Sequence, residues 1–288
     1  MTPTSNVALR RAAFRALHEK GCFVLPNPWD AGSALWLRQL GFPALASTSA
    51  GLAFAKGLPD AAWAVPRDIV LQHLRELVAA VDLPINADFE SGYANEPEAL
   101  AANVTLCVET GVAGLSIEDA TGDPERPLYE LDLAVERIRA ARAAIDATGS
   151  GALLTARAEC FLVGHPAPLR ESLRRLTAYA EAGADVLYAP GPQEPSDMQA
   201  IVRELHPKPV NILMSANTGL RVADLAEMGA RRISTGSSLS RAAWTGFLNA
   251  ARAIATEGSF AGFDGMVPFG EINGFFQRAH EQRNRKGE

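Results

Sequence analysis

The sequence predicts an α/β fold of the (β/α)8 TIM-type barrel class, with an extra N-terminal helix and a C-terminal helical extension. Three observations carry this expectation. Short apolar runs alternate with longer amphipathic segments all the way from Cys22 to Thr256. Eight such strand–helix units can be counted, and strict alternation implies parallel strands joined by right-handed crossovers. The length of 288 residues suits one closed barrel, and no linker or low-complexity stretch interrupts the series. The chain 1–288 is therefore read as a single barrel domain, with 258–288 as its C-terminal extension.

A leading helix is expected over about Val7 to Lys20. The first strand, Cys22 to Pro26, precedes Asn27-Pro28-Trp29-Asp30 and a helix from Ala31 to Leu40 that Gly41 can terminate. Ala44 to Ser49 is the second strand, and Pro66 to Val81 carries apolar residues at helical spacing. The third strand, Pro84 to Glu90, leads to a helix at Pro97 to Glu109, and the fourth, Gly114 to Glu118, to one at Leu131 to Ala147. Leu153 to Ala158 and Val186 to Ala189 follow as strands, with helices at Leu169 to Ala182 and Ser196 to Leu205. The series closes with Pro209 to Met214, a helix at Ala223 to Met228, the strand Arg232 to Thr235 and a helix from about Leu239 to Thr256. His18, His73 and His206 fall on helices or their ends and are expected at the surface.

Composition narrows the function classes. At 48% hydrophobic residues the chain can build a large core without disulfides. Cys22, Cys107 and Cys160 are odd in number and lack CxxC spacing, which favours a reducing, cytoplasmic compartment and argues against structural zinc. The net charge of −6 comes with no basic block, so nucleic acid is excluded as a partner. No apolar run approaches the ~20 residues needed to span a bilayer, and Met1 to Arg11 does not read as a secretion signal. A soluble cytoplasmic protein with a small-molecule partner is expected, and no membrane association.

Barrel enzymes work at the C-terminal ends of their strands. Here those ends are polar and acidic: Asn86-Ala87-Asp88-Phe89-Glu90, Ile117-Glu118-Asp119 and Thr155-Ala156-Arg157-Ala158-Glu159. A period of two puts Asn86, Asp88 and Glu90 on one face of the third strand. Converging carboxylates resist ionisation unless a cation relieves them, and oxygen-only ligands suit Mg2+ or Mn2+. The alternative is that such acids cap the following helices, which suits Asp119 or Glu96. Arg157 has the planar fork to clamp a substrate carboxylate, or else to pair with one of these acids. Ser47 to Leu52 is either an anion-approaching backbone segment or a plain turn. The four lysines, Lys20, Lys56, Lys208 and Lys286, all miss the strand ends, which speaks against Schiff-base chemistry, and the GxSxG, HExxH and GxxxxGK[ST] patterns are absent.

Several segments together resemble the isocitrate lyase/phosphoenolpyruvate mutase superfamily. Asp88-Phe89-Glu90-Ser91-Gly92-Tyr93 is similar to its Asp-x-Asp-x-Gly-Phe/Tyr motif. Ser49-Ala50-Gly51-Leu52, Gly57-Leu58-Pro59-Asp60, Gly114 to Asp119 and Thr155-Ala156-Arg157 follow in the family's order between about Asn27 and Ala250. The resemblance implies a (β/α)8 barrel, assembled as a homodimer or homotetramer with its eighth helix swapped. It also implies Mg2+ (or Mn2+) held by Asp88, Glu90 and Glu118, directly or through water, with Asp60 nearby. Ala50 and Gly51 would offer N–H groups to a substrate oxygen, Ser49 and Asn211 complete the substrate-binding set, and Arg157 contacts the substrate.

The chain departs from the family in ways that bear on chemistry. The lyases carry a Lys-(Lys/Arg)-Cys-Gly-His loop after the fourth strand, whereas this chain has Ala120 to Tyr129 without cysteine, lysine or histidine. Tyr129, Asp123 and His165 are the nearest substitutes for the missing proton donor. The expectation is a carbon–carbon lyase or decarboxylase acting on a small 2-oxo or 2-hydroxy dicarboxylic acid through a pyruvate enolate. The alternatives are P–C bond chemistry on phosphonopyruvate, a sugar-phosphate-binding barrel, and a catalytically silent protein that binds metal and 2-oxo acid.

Overall fold

A computed structural model describes residues 3–287. Eight parallel strands, β1 (Phe23–Leu25), β2 (Leu45–Ala46), β3 (Ile85–Asp88), β4 (Gly114–Glu118), β5 (Leu153–Arg157), β6 (Val186–Tyr188), β7 (Val210–Leu213) and β8 (Arg232–Ser234), pair in the order β1-β8-β7-β6-β5-β4-β3-β2. The seam between β1 and β2 is closed by one backbone hydrogen bond, Ala46 N–H to Pro26 O at 3.0 Å. Asn27 staples the same seam through Nδ2, which donates to Ser47 O (2.8 Å), and ties it to the end of β8 through Oδ1, which accepts from Thr235 and Gly236 N–H (3.0 Å each). The predicted (β/α)8 barrel is thus the observed one.

The leading helix α1 (Pro3–Leu17) packs its Phe14 in a cluster with Phe23, Ala44, Ala113 and Leu153, residues at or just before the start of their strands. The N-terminal end of the barrel is therefore plugged by apolar side chains, and the opposite end is left to loops. The connecting helices are α2 (Ala31–Gln39), α4 (Arg67–Ala80), α5 (Pro97–Glu109), α6 (Leu131–Ala147), α7 (Pro168–Glu181), α8 (Pro195–Glu204) and α9 (Val222–Glu227). Most bury one stripe and end near the predicted residues, because helical spacing and C-terminal glycines are local signals. The segment after β2 is neither an open strand nor a plain turn: Ser49–Ala55 forms a short helix, α3, capped by Thr48 Oγ1 accepting from Gly51 N–H at 3.2 Å.

Contacts divide the chain into two compact units, one ending at Leu239 and one beginning at Ser240. The first carries the barrel. The second holds most of α10 (Ser238–Glu257), a 3-10 turn at Ala261–Phe263 and α11 (Phe269–Gly287), so the expected helical extension is present. Within it Gly262 lies so close to Ala250 that a Cβ would stand 2.5 Å from the Ala250 Cα. No helix among the described residues is long and apolar enough to cross a membrane.

Two histidines depart from the expected surface placement. His73 lies inside the α4 contact face, 6% exposed, and His18 is 7% exposed beside Phe14 and Phe23. His73 sits on the inner stripe of α4 and His18 in the turn just after α1, and at both ring area outweighs polarity. His18 Nδ1–H donates to Phe14 O at 2.8 Å, and its Nε2 has no partner. Burial, reinforced by the nearby Arg232 charge, pushes the imidazole down from 6.5 to about 3. The folded protein therefore refuses a proton that the unfolded chain accepts below 6.5. Stability should be unaffected above that value and fall as the pH drops toward 3, with a loss of about 2 kcal/mol by about pH 5. Urea unfolding of wild type and His18→Leu across this range checks it. An acid loss in wild type no larger than in the variant would contradict it.

Candidate active site

The loops at the C-terminal ends of the strands surround a cavity of about 170 Å³. Of the residues singled out from sequence, Ser49, Ala50, Asp60, Asp88, Arg157 and Asn211 line it. Asp88 closes β3. Its Oδ2 accepts from Ser49 N–H at 2.9 Å, and its backbone N–H donates to Ser47 Oγ at 2.8 Å, so β2 and α3 fix the carboxylate. Arg157 closes β5 and donates from Nη1 to Asp88 Oδ1 at 2.8 Å.

Arg157 holds three carboxylates at once. Besides Asp88 it meets Glu118 Oε2 from Nη2 at 3.2 Å and Glu159 Oε1 from Nε at 2.8 Å. Register explains this: Glu118 and Arg157 are partners across β4 and β5, and so share a face. Burial alone would lower the guanidinium, but Glu159, Glu118 and Asp88 outweigh it and hold Arg157 well above its usual range. Glu118 and Glu159 are raised above theirs, chiefly by burial, with Glu159 and Asp88 adding to the first and Asp119 and Asp88 to the second, despite Arg157. Asp60 is raised too, by burial first and then by Asp88.

Glu90 does not extend β3. Its φ of +47° puts it in the left-handed region, together with Tyr93 at +57°, so strand parity with Asp88 stops at the strand end. Non-glycine residues pay to sit there, and surrounding contacts must enforce it. Here Glu90 Oε1 accepts from the Tyr93 hydroxyl (2.6 Å) and Oε2 from Trp63 N–H (2.9 Å). The buried Arg137 of α6 donates to the carbonyls of Ser91, Ala94 and Asn95, and Asn103 Nδ2 donates to Gly92 O at 2.9 Å. Burial raises the Glu90 carboxyl against these two hydrogen bonds.

The helix-capping role suits Glu96 by position, while Asp119 does something else. Glu96 sits at the N-cap of α5 with no side-chain cap bond. Asp119, 3% exposed, accepts from Glu159 N–H (2.8 Å), the Tyr179 hydroxyl (2.5 Å) and Arg175 Nη1 (3.1 Å). It thereby ties the end of β4 to that of β5 and to α7, and so positions Glu159 beneath Arg157.

This arrangement agrees with the comparisons to known proteins. The phosphoenolpyruvate phosphomutase family profile matches residues 14–255. The chain belongs to that family, within the phosphoenolpyruvate mutase/isocitrate lyase superfamily. An uncharacterized protein of Mycobacterium tuberculosis is 33% identical over 84% of this chain and 89% of its own. Oxaloacetate decarboxylase of Pseudomonas aeruginosa is 31% identical over 78% of each. The crystal structure of a candidate lyase/mutase from Burkholderia cenocepacia J2315 is 44% identical, covers 94% of this chain and 97% of its own, and superposes with a TM-score of 0.90. The chain is an enzyme of this superfamily's lyase and mutase kind.

Within the family frame some expected groups lie elsewhere. The Tyr129 hydroxyl donates to Asn95 Oδ1 at 2.7 Å, its ring carries the Arg137 guanidinium at 4.1 Å, and it lines a second cavity together with Asp123. His165 Nδ1 accepts from Ala167 N–H at 3.1 Å in the loop before α7 and does not line the first cavity. Gly51 N–H is committed to Thr48, which leaves Ala50 as the cavity-lining member of the Ala50–Gly51 pair. The β4–α6 loop folds back on itself through an Ala120–Leu128 bridge and rests on the segment after Asp60. At Gly122, with φ +80°, a Cβ would stand 2.3 Å from that of Ala62, so only glycine allows this approach.

Among the described residues no three carboxylate, histidine or cysteine side chains gather at metal-holding spacing. The donor chemistry nevertheless fits a hard divalent cation. Three carboxylates share one guanidinium, an excess of acid over base that adds to burial in raising Glu118 and Glu159 and that a dication would relieve. Asp88 alone of Asp88, Glu90 and Glu118 lines the cavity. Sequence reading missed the cavity residues Tyr188 and Arg232 and the tie at Asp119. The signal for Arg232 was present, since a charged residue stands two places before Ser234 in a short buried strand and shares its face.

Proposed function

We propose that this protein is a Mg2+-dependent (or Mn2+-dependent) lyase or decarboxylase acting on a small 2-oxo or 2-hydroxy dicarboxylic acid of the oxaloacetate kind through a pyruvate enolate. The observation that carries the reading is the Asp88–Arg157 contact at the cavity wall, with Asp60 beside it. The oxaloacetate decarboxylase relative adds support for the substrate class. Asp88 would hold the metal directly, with Glu90 and Glu118 acting through water. When bound, the ion supplies a positive charge for the enolate oxygen.

The chain's own residues account for the rest. Arg157 orients the substrate carboxylate while Glu118 and Glu159 hold its fork in place. Ala50 and Ser49 crowd the reacting end and exclude water from it. Asp60, whose carboxyl is raised above its usual range by burial and then by Asp88, is the group placed to pass on a proton. It takes a proton from solvent and delivers it to the enolate carbon once the leaving fragment has departed. Tyr129 and His165 take no part in this step.

The reading extends to the assembly and its setting. The exposed Trp244, Phe247 and Leu248 of α10 favour a homodimer or homotetramer in which this eighth barrel helix is exchanged between subunits. The three unpaired cysteines suit the cytoplasm. Incubating purified protein with Mg2+ and a panel of oxo acids, hydroxy acids and phosphonates tests the chemistry. Release of CO2 or of an aldehyde or acid fragment with pyruvate is expected. Phosphate or phosphoenolpyruvate from phosphonopyruvate would replace this reading with P–C chemistry, and tight binding without product would make the protein a binder.

A further inference from the structure

Arg232 is a buried cation without an anion. It opens β8, is 2% exposed, and lines the same cavity as Asp88 and Arg157. Its Nε donates to Asn211 Oδ1 at 2.8 Å and its Nη2 to Thr155 Oγ1 at 3.2 Å. Both partners are neutral. Its Nη1 has no hydrogen-bond partner, and no ion pair forms at Arg232 among the described residues. A buried charge held only by neutral groups is costly, and each unmatched N–H adds to the cost.

The register sets Arg232 against Arg157. Pairing runs Arg157 to Tyr188 to Asn211 to Arg232 across β5, β6, β7 and β8. Residues paired in this way face the same side, and strands in a barrel tilt against its axis, so this row winds along the cavity wall. Its two ends are both guanidinium groups. One is neutralised by three carboxylates, and the other has none. Acid is thus in excess at the Asp88 end, and the positive charge at the Arg232 end is unmatched.

Resting on the dicarboxylate reading above, we propose that the Arg232 guanidinium, which lines the cavity with no acid beside it, binds the second carboxylate of the substrate, while the 2-oxo or 2-hydroxy end lies at Asp88 and Arg157. Asn211 and Thr155 then act as positioning residues that fix the guanidinium plane. The cavity selects dicarboxylates over the corresponding monocarboxylates because only a dicarboxylate brings the missing charge. The burial that pushes Arg232 down to about 10 agrees with a group awaiting a counter-charge.

The test compares malate with lactate, which share the 2-hydroxy acid end and differ in the distal carboxylate. Titration calorimetry with Mg2+ present should show wild type preferring malate by roughly 10- to 100-fold, as one charge-assisted hydrogen bond in a dry site implies. Arg232→Met should lose that preference, with the malate-to-lactate affinity ratio falling to about one. An unaltered malate-to-lactate ratio in the variant, or no preference in wild type, overturns the proposal. Should Arg232→Met fail to fold, a crystal structure of wild type with malate decides. A carboxylate oxygen on the Arg232 guanidinium upholds the assignment, and both carboxylates bound elsewhere overturn it. Because these readouts are binding alone, a protein that binds malate through Arg232 and turns nothing over loses the lyase reading but keeps this one. A lyase whose Arg232→Met variant retains full malate preference does the reverse.

Discussion

Asp88→Asn should lower kcat/KM by about 10²–10³-fold while leaving the folded protein intact. The side chain is nearly the same shape, and its remaining carbonyl can still accept from Ser49 N–H, the bond that Asp88 Oδ2 makes at 2.9 Å. What is lost is charge. The amide cannot neutralise Arg157, which now donates to Asp88 Oδ1 at 2.8 Å, and it is a poor ligand for a hard dication. Arg157 keeps Glu118 and Glu159, so the local structure retains two of its three ion pairs. Steady-state kinetics at rising Mg2+ provide the check. A variant whose activity recovers fully at high Mg2+ would show that Asp88 tunes affinity only, and one with undiminished activity would remove it from the site.

Asp119→Ala should have its main effect on stability. Asp119 is buried and accepts three hydrogen bonds, from Glu159 N–H, Tyr179 and Arg175. Truncation strands the Arg175 guanidinium, 8% exposed, and leaves it with Glu171 and the Tyr129 carbonyl. Removing one member of a buried pair costs about 3–5 kcal/mol, which for a chain of this size lowers Tm by roughly 10 °C. Thermal unfolding by circular dichroism measures this. A Tm within about 2 °C of wild type would mean that water replaces the carboxylate without penalty. A secondary loss of activity is expected, because Glu159 would lose the backbone anchor that sets it under Arg157. The two substitutions therefore separate chemistry from architecture: one spares the fold and the other undermines it.

The contrast between these residues also marks how far the sequence could be read. Asp88, Glu118 and Arg157 stand at the ends of apolar runs, and in a parallel barrel strand ends converge. Their proximity followed from alternation and the barrel rule alone. Asp60 and Ala50 were found through motif order, and both line the cavity. Asp119 stood beside Glu118 and looked like a helix cap, because its partners Tyr179 and Arg175 lie 60 and 56 residues away and no local pattern links them. Tyr129 looked like a proton donor because its loop follows β4. Whether such a loop side chain points into the mouth depends on packing, and here Arg137 and Asn95 hold it aside.

By itself the sequence determined the eight strand–helix units, the barrel that parallel crossovers impose, and the acidic character of its mouth. These rest on periodicity, helix stops and strand parity, all of which act over a few residues. Only the tertiary structure decided which charges are matched. Glu90 leaves the strand for a left-handed turn, Arg157 gathers three acids from three strand ends, and Arg232 is left in the wall with none. Charge balance in a closed barrel is a sum over strands far apart in the chain, and it is set once their register and tilt are fixed.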